Sequence, residues 1–245
     1  MEQGTIKITI DDKEIWAKDG QSVVEAAREN HIFIPTLCDY KSLKPAGTCR
    51  LCTVKIGGRF VSACTTTVSN GMKVENESSE IKDIRKSLIE MLFVEGNHMC
   101  PSCEKSGNCD LQALAYRYQM TAPRFPFSFT NRRLDASLPH LILEHNRCIQ
   151  CLRCVRGVRA KDGRDLFGFV DRGAKIHITV DKTVEEAFSE KTAAAAMAIC
   201  PVGALIQKGG AYQTPIGDRK YDLHPIGLEI ESNIEQSGGS HDTKS

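Results

Sequence analysis

Eleven cysteines fall into three groups along a chain of 245 residues. Cys38, Cys49, Cys52 and Cys64 form the first, Cys100, Cys103 and Cys109 the second, and Cys148, Cys151, Cys154 and Cys200 the third. Two cysteines separated by two residues can reach one metal centre, so this grouping points to metal or redox chemistry. A disulfide framework fits poorly, because the count is odd and such scaffolds are typical of shorter secreted chains. The N-terminal residues lack a charged region followed by an apolar run. No secretory signal is therefore expected, and a cytoplasmic location is.

Composition narrows the remaining classes. The chain carries 32 basic and 31 acidic residues, a formal net charge of +1, which gives no electrostatic reason to expect nucleic acid. No apolar run approaches the roughly eighteen residues of a membrane span.

The first group has the spacing C-x10-C-x2-C-x11-C. Four cysteines with one close pair suit a [2Fe–2S] centre with two thiolates per iron, although the spacing is not the plant-type run. A four-cysteine zinc site fits a single Cys-x2-Cys pair equally well, so zinc stays open on this group alone. The loop before Cys49 holds Pro45, Gly47 and Thr48, and its amides can point at sulfur.

The third group reads Cys148-x2-Cys151-x2-Cys154, with Cys200-Pro201 downstream. The bacterial ferredoxin run is C-x2-C-x2-C-x3-C-P, and its last cysteine serves a second cluster. Here Val158 holds that last position, so Cys200 is the expected fourth ligand of a single [4Fe–4S] centre.

The second group is one ligand short. One [2Fe–2S] and two [4Fe–4S] centres take four terminal ligands each. Eleven cysteines leave one position unfilled, and His98 is the histidine nearest the three-cysteine group. A neutral imidazole in place of a thiolate makes a centre less negative and raises its potential, as in Rieske centres. Lys105 reads as a solvated surface charge, and His145 lies beside a group that is already complete.

Positioning these ligands is the task of the surrounding elements. Residues 5–10 alternate apolar and polar, and with 14–18 they read as a hairpin turning at Asp11-Asp12. Ser22 caps a short helix over 23–30. Strands near 54–56, 60–63 and 72–74 close a β-grasp domain by residue 77. Helix 79–95 carries Ile81, Ile84, Leu88, Met91 and Leu92 at helical spacing, with Ser78 or Ser79 as N-cap. A second helix runs over 110–118, and 119–139 reads as an extended linker. A short apolar run at 141–143, strands at 166–170 and 175–180 and a helix at 192–198 read as a ferredoxin-like α+β module that has lost one of two clusters. The expected fold class is α+β. Its expected divisions are a β-grasp [2Fe–2S] domain at 1–77, a helical [4Fe–4S] segment and linker at 78–139, a ferredoxin-like [4Fe–4S] domain at 140–210, and an arm at 211–245. That arm is expected on the surface, lying on a partner, with a frayed end.

The combined pattern resembles the N-terminal iron–sulfur region of the large iron–sulfur subunit of respiratory complex I. The same region occurs in iron-only hydrogenases and NAD-linked formate dehydrogenases. Glu95-Gly-Asn-His98-x-Cys100, Cys109-Asp-Leu-Gln and Cys200-Pro-Val-Gly-Ala-Leu carry the likeness, which runs from about residue 4 to 208. Chain length is similar to the small diaphorase subunits of cytoplasmic NAD-reducing nickel–iron hydrogenases. The relatives usually show His-x3-Cys; here Gly96 occupies that histidine position, so carrying ligation to His98 rests on proximity and count. The resemblance implies an electron relay between a flavin- and NAD-binding subunit and a hydrogenase module, one subunit of a hetero-oligomeric oxidoreductase with no catalytic residue or substrate pocket of its own. A relay in a formate dehydrogenase or complex I-like module, and a zinc-bound scaffold, are the alternatives.

Overall fold

The computed structural model describes residues 4–128 and 131–232. Its first part is a five-stranded sheet built from β1 (Thr5–Ile10), β2 (Lys13–Lys18), β3 (Thr53–Ile56), β4 (Arg59–Ser62) and β5 (Lys73–Glu75), in the order β2-β1-β5-β3-β4. β1 pairs antiparallel with β2 and parallel with β5, the mixed arrangement of a β-grasp. Asp11 and Asp12 both take positive φ, which a two-residue turn between right-twisted strands requires. Helix α1 (Val23–Glu29) opens with a reciprocal capping box between Ser22 and Glu25. Its Val23, Val24, Ala26 and Ala27 meet Ile8, Ile10 and Val54 of the sheet in one buried cluster.

The middle of the chain is helical. α2 (Ser79–Glu95), capped by Ser78, occupies the expected span, and α3 (Asp110–Arg117) begins directly after Cys109. The inward face of α2 is not the purely apolar stripe read from the sequence. Ile81 and Ile89 are buried, but Met91 is 43% exposed, whereas Arg85 and Glu90 are fully covered. Arg85 donates to the Thr53 carbonyl (2.9 Å), to the side chain and backbone of Asn76 (2.7 and 3.1 Å) and to Tyr118 (3.3 Å). It thereby ties the β-grasp sheet to both central helices. The segment after α3 has little regular structure but is not loose: Arg124 binds Asp83, Ser87 and the buried Glu90 of α2.

The last module follows the expected α+β order. β7 (Leu141–Glu144) lies between β6 (Leu134–Asp135) and β10 (Leu205–Gln207), while β8 (Phe167–Val170) and β9 (His177–Val180) form a separate hairpin. Helices α4 (Arg153–Gly157) and α5 (Glu190–Ile199) cover them. One apolar core joins this module to the central helices, running from Ile89, Leu111 and Leu114 to Leu141, Phe167 and Ala196.

The described part of the C-terminal arm is mostly exposed. It packs on its own chain, with Ile226 buried and a short helix, α6 (Leu228–Glu231), near its described end. Arg117 donates to the Ile226 carbonyl and pairs with Glu231, and His31 of the β-grasp domain meets the Ile230 carbonyl at 3.0 Å. Residues 233–245, including the expected frayed end, lie outside the described part. Among the described residues no helix is long and apolar enough to cross a membrane.

Candidate iron–sulfur sites

All eleven cysteines are free thiols in buried or half-buried positions. In the first set, Cys52 and Cys64 place their sulfurs 3.3 Å apart, and Cys38 is hydrogen-bonded to Cys49. Cys38 also contacts Cys64, so all four thiols form one connected set. Contacts with Cys49 and Cys64 hold the Cys38 thiol far below its ordinary value, and the bond with Cys64 lowers Cys52 to about 7. Cys49 and Cys64 are pushed up in turn. Donors surround the sulfurs: the Leu37 amide reaches Cys49 at 3.4 Å, and the Cys49 amide and Thr48 hydroxyl reach Cys38. Gly47, with φ +65° and Thr65 against the place of a Cβ, lets the loop close over the set.

The second set is built from three different local structures. Cys100 opens a single tight turn with Pro101 as its next residue. Cys103 ends that turn. Cys109 is the N-cap of α3, its sulfur accepting from the Gln112 amide at 3.4 Å. Burial, with Asp110 contributing, pushes the Cys109 thiol up to about 12. A Cβ at Gly203, three residues past Cys200, would lie 2.6 Å from the Cys103 sulfur, so the third module's chain is pressed against the second set. Lys105 is not the solvated charge expected; it is buried and donates to the Met197 carbonyl at 2.7 Å.

His98 has the features of a ligand. Its Nε2 is buried with no hydrogen-bond partner, and the Leu92 carbonyl takes the hydrogen bond offered by the rest of the ring. Ligating histidines are held in that way, one nitrogen fixed by a carbonyl and the other free for metal. The ring packs on Phe93, centroids 5.2 Å apart. Burial, helped by Arg147, lowers its pKa to about 4, so the imidazole is neutral at pH 7. A Cβ at Gly96 would fall 2.5 Å from His98 Nε2. The imidazole of residue 98 therefore fills the space that a side chain at residue 96 would take. A histidine two positions later in sequence reaches the same place by folding back.

In the third set, Cys148, Cys151, Cys154 and Cys200 act on one another electrostatically. Burial pushes Cys148 up to about 11 and Cys151 to about 12. Gln150 and Leu152 take positive φ (+52° and +66°), a conformation costly for residues with side chains. These turns wrap the loop so that the Gln150 and Arg153 amides reach Cys148 and Cys151. Arg50, at φ +59° between Cys49 and Cys52, repeats the device in the first set. His145 stands apart from this set, edge-on to His177 with centroids 5.1 Å apart.

The surroundings of the sulfurs are the part that residue order does not disclose. Asp110 is the first residue of α3, and Arg153 stands between Cys151 and Cys154, in each case with no local pattern to mark it. Yet Arg153 donates to Asp110 at 3.0 Å while both are largely buried. Arg156 of α4 donates to the Cys38 carbonyl at 2.7 Å. A charged residue inside a Cys-x2-Cys spacing is the available signal.

Donor type, burial and amide contacts fit iron–sulfur centres at all three places. Among the described residues no three His, Cys, Asp or Glu side chains converge as they would on a single ion.

Three stretches of the chain match models of known families. Residues 3–79 match a family model described as a 2Fe-2S iron-sulfur cluster binding domain. Residues 85–124 match the NADH-ubiquinone oxidoreductase-G iron-sulfur binding region, and 139–206 the ferredoxin-like domain of NADH-quinone oxidoreductase subunit 3. The NADH-quinone oxidoreductase G protein of Rickettsia typhi is 34% identical over 89% of this chain, which covers 32% of that longer protein. A chain from the crystal structure of an NAD+-reducing [NiFe]-hydrogenase in the H2-reduced state superposes with a TM-score of 0.84 at 39% identity, covering 91% of this chain and 96% of the other. The gamma component of the NAD-reducing hydrogenase HoxS of Cupriavidus necator is 44% identical over 223 residues, 91% of this chain and 95% of that component. On the strength of that near end-to-end match, and with three iron–sulfur family models matched along its length, the chain belongs to the family of NAD-reducing hydrogenase gamma subunits.

Proposed function

We propose that this chain is the electron-relay subunit of an NAD-reducing hydrogenase and holds three iron–sulfur centres. Cys38, Cys49, Cys52 and Cys64 hold a [2Fe–2S] centre. His98, Cys100, Cys103 and Cys109 hold one [4Fe–4S] centre, and Cys148, Cys151, Cys154 and Cys200 hold the other. The observation that carries the reading is that every cysteine belongs to a buried or half-buried set, while the segment leading into the one set short of a thiol carries, two residues before Cys100, a neutral imidazole with a buried, unpartnered Nε2. When bound, such centres accept and release single electrons. The chain's own residues supply the ligands, aim amides at the sulfurs and keep water away from them. Partners of matching chemistry are a flavin- and NAD-binding subunit on one side and nickel–iron hydrogenase subunits on the other. The cytoplasm, which keeps thiols reduced, suits the assembly.

Anaerobic purification with metal analysis tests this directly. The reading expects about ten iron atoms per chain from the three centre types, together with co-purifying flavin and nickel. Colourless protein holding zinc and little iron would overturn it. Iron-loaded protein that co-purifies with a formate dehydrogenase instead would keep the relay and move it to another enzyme.

A further inference from the structure

Asp110 is the residue after Cys109, and its carboxylate is only 14% exposed. Three groups converge on it: Arg153 Nη1 at 3.0 Å, Lys220 Nζ at 3.2 Å and the Tyr221 hydroxyl at 2.6 Å. Its amide donates to the carbonyl of Pro201, the residue after Cys200, at 2.8 Å. Arg153 stands between Cys151 and Cys154, is 7% exposed, and lies 5.3 Å from the centre of the Tyr40 ring. Its Nε has no partner.

The pair therefore bridges two ligand sets, and its ends differ. The carboxylate follows Cys109 directly in the chain, whereas the guanidinium belongs to a residue set between Cys151 and Cys154, so the negative end faces the second set and the positive end the third. A buried charge acts strongly on a nearby redox centre, because little solvent screens it and each added electron is stabilised or repelled directly. We propose that Asp110 and Arg153 form an oriented charge pair that sets the potential difference between the second and third iron–sulfur sites. The carboxylate end lowers the potential of the second site, and the guanidinium end raises that of the third. The inference rests on reading the cysteine sets as iron–sulfur centres. It gives two residues that touch no metal a positioning role in the relay: Asp110 offsets part of the rise that a neutral imidazole ligand brings to the second site.

The test is a redox titration of the purified complex, each [4Fe–4S] signal followed by EPR, for the parent and for Asp110→Asn, Arg153→Gln and Arg153→Lys. Asp110→Asn raises the potentials, most at the second site. Arg153→Gln lowers them, most at the third. Arg153→Lys, which keeps the charge, stays near the parent. If Arg153→Gln fails to load its centre, Lys220→Gln carries the test: this lysine is 45% exposed, and losing its charge beside Asp110 lowers the second site's potential. Intact signals with unmoved potentials, or shifts of the same sign in Asp110→Asn and Arg153→Gln, overturn the proposal and leave the centres in place. Absence of [4Fe–4S] signals from the parent complex overturns the cluster reading, and this inference with it.

Discussion

In the proposed second centre, His98 is the one ligand that is not a thiol. Its ring is held by the Leu92 carbonyl and Phe93, and its Nε2 is free and buried. His98→Cys is expected to keep the centre and shift its EPR-detected potential downward, since a thiolate adds one negative charge. An unchanged spectrum and potential would give the ligand role to another residue. The same burial fixes its pH response. An imidazole lowered from 6.5 to about 4 stays neutral between those values, so its lone pair is not lost to a proton in that window. The EPR amplitude of the second site should therefore show no step near the ordinary imidazole value of about 6.5 as pH falls from 7 to 5. A step there would mark His98 as an exposed, unengaged side chain.

Two contacts between elements lend themselves to single substitutions. Gly203 sits in the turn before β10, against Cys103. A Cβ there overlaps sulfur, so Gly203→Ala is expected to displace Cys103 and lose iron from the second site while the first keeps its own. Site-resolved EPR distinguishes this from general unfolding. Arg85 is the other case. Four hydrogen bonds from one fully buried guanidinium join α2 to β3, to Asn76 and to Tyr118. Arg85→Met leaves those acceptors without a donor and should destabilise the protein by about 3 kcal/mol, read from denaturant unfolding. No loss of stability would mean that water replaces the guanidinium. The boundaries of α2 were legible because its cap and its apolar period agree. Its buried face was not, because a periodicity of apolar residues cannot show that an arginine finds acceptors inside the core and that a buried glutamate is met by the half-exposed Arg124.

At the scale of the molecule, the C-terminal arm is the feature that alters the picture. Arg219 packs against Gly107 and donates to the Ser106 carbonyl, the Tyr221 amide bonds the Gly107 carbonyl, and the Lys220 amide bonds the Asn108 side chain. The arm thus clamps the loop between Cys103 and Cys109. Removal of residues 211–245 is expected to lower thermal stability and to release iron from the second site before the other two. Equal release from all three would reduce the arm to a general brace. The tail has no readable period, and its polar composition suggests an outward arm; its partners are scattered backbone carbonyls and single side chains such as Asn108, Asp110, Arg117 and His31, which leave no pattern in a sequence.

By itself the sequence determined the grouping of the thiols, two sets of four and one of three, and the helices and strands whose caps and periods are local properties. Spacing is a covalent fact, so sulfur pairs two residues apart are legible without a fold. What the tertiary structure decided is the environment of those ligands. Only folding brings Gly96 and His98 to share one space, sets Gly203 against Cys103, and joins Asp110 to Arg153 across the two modules. Potentials and proton affinities depend on such through-space neighbours and on exclusion of water, and neither is written in the order of residues along the chain.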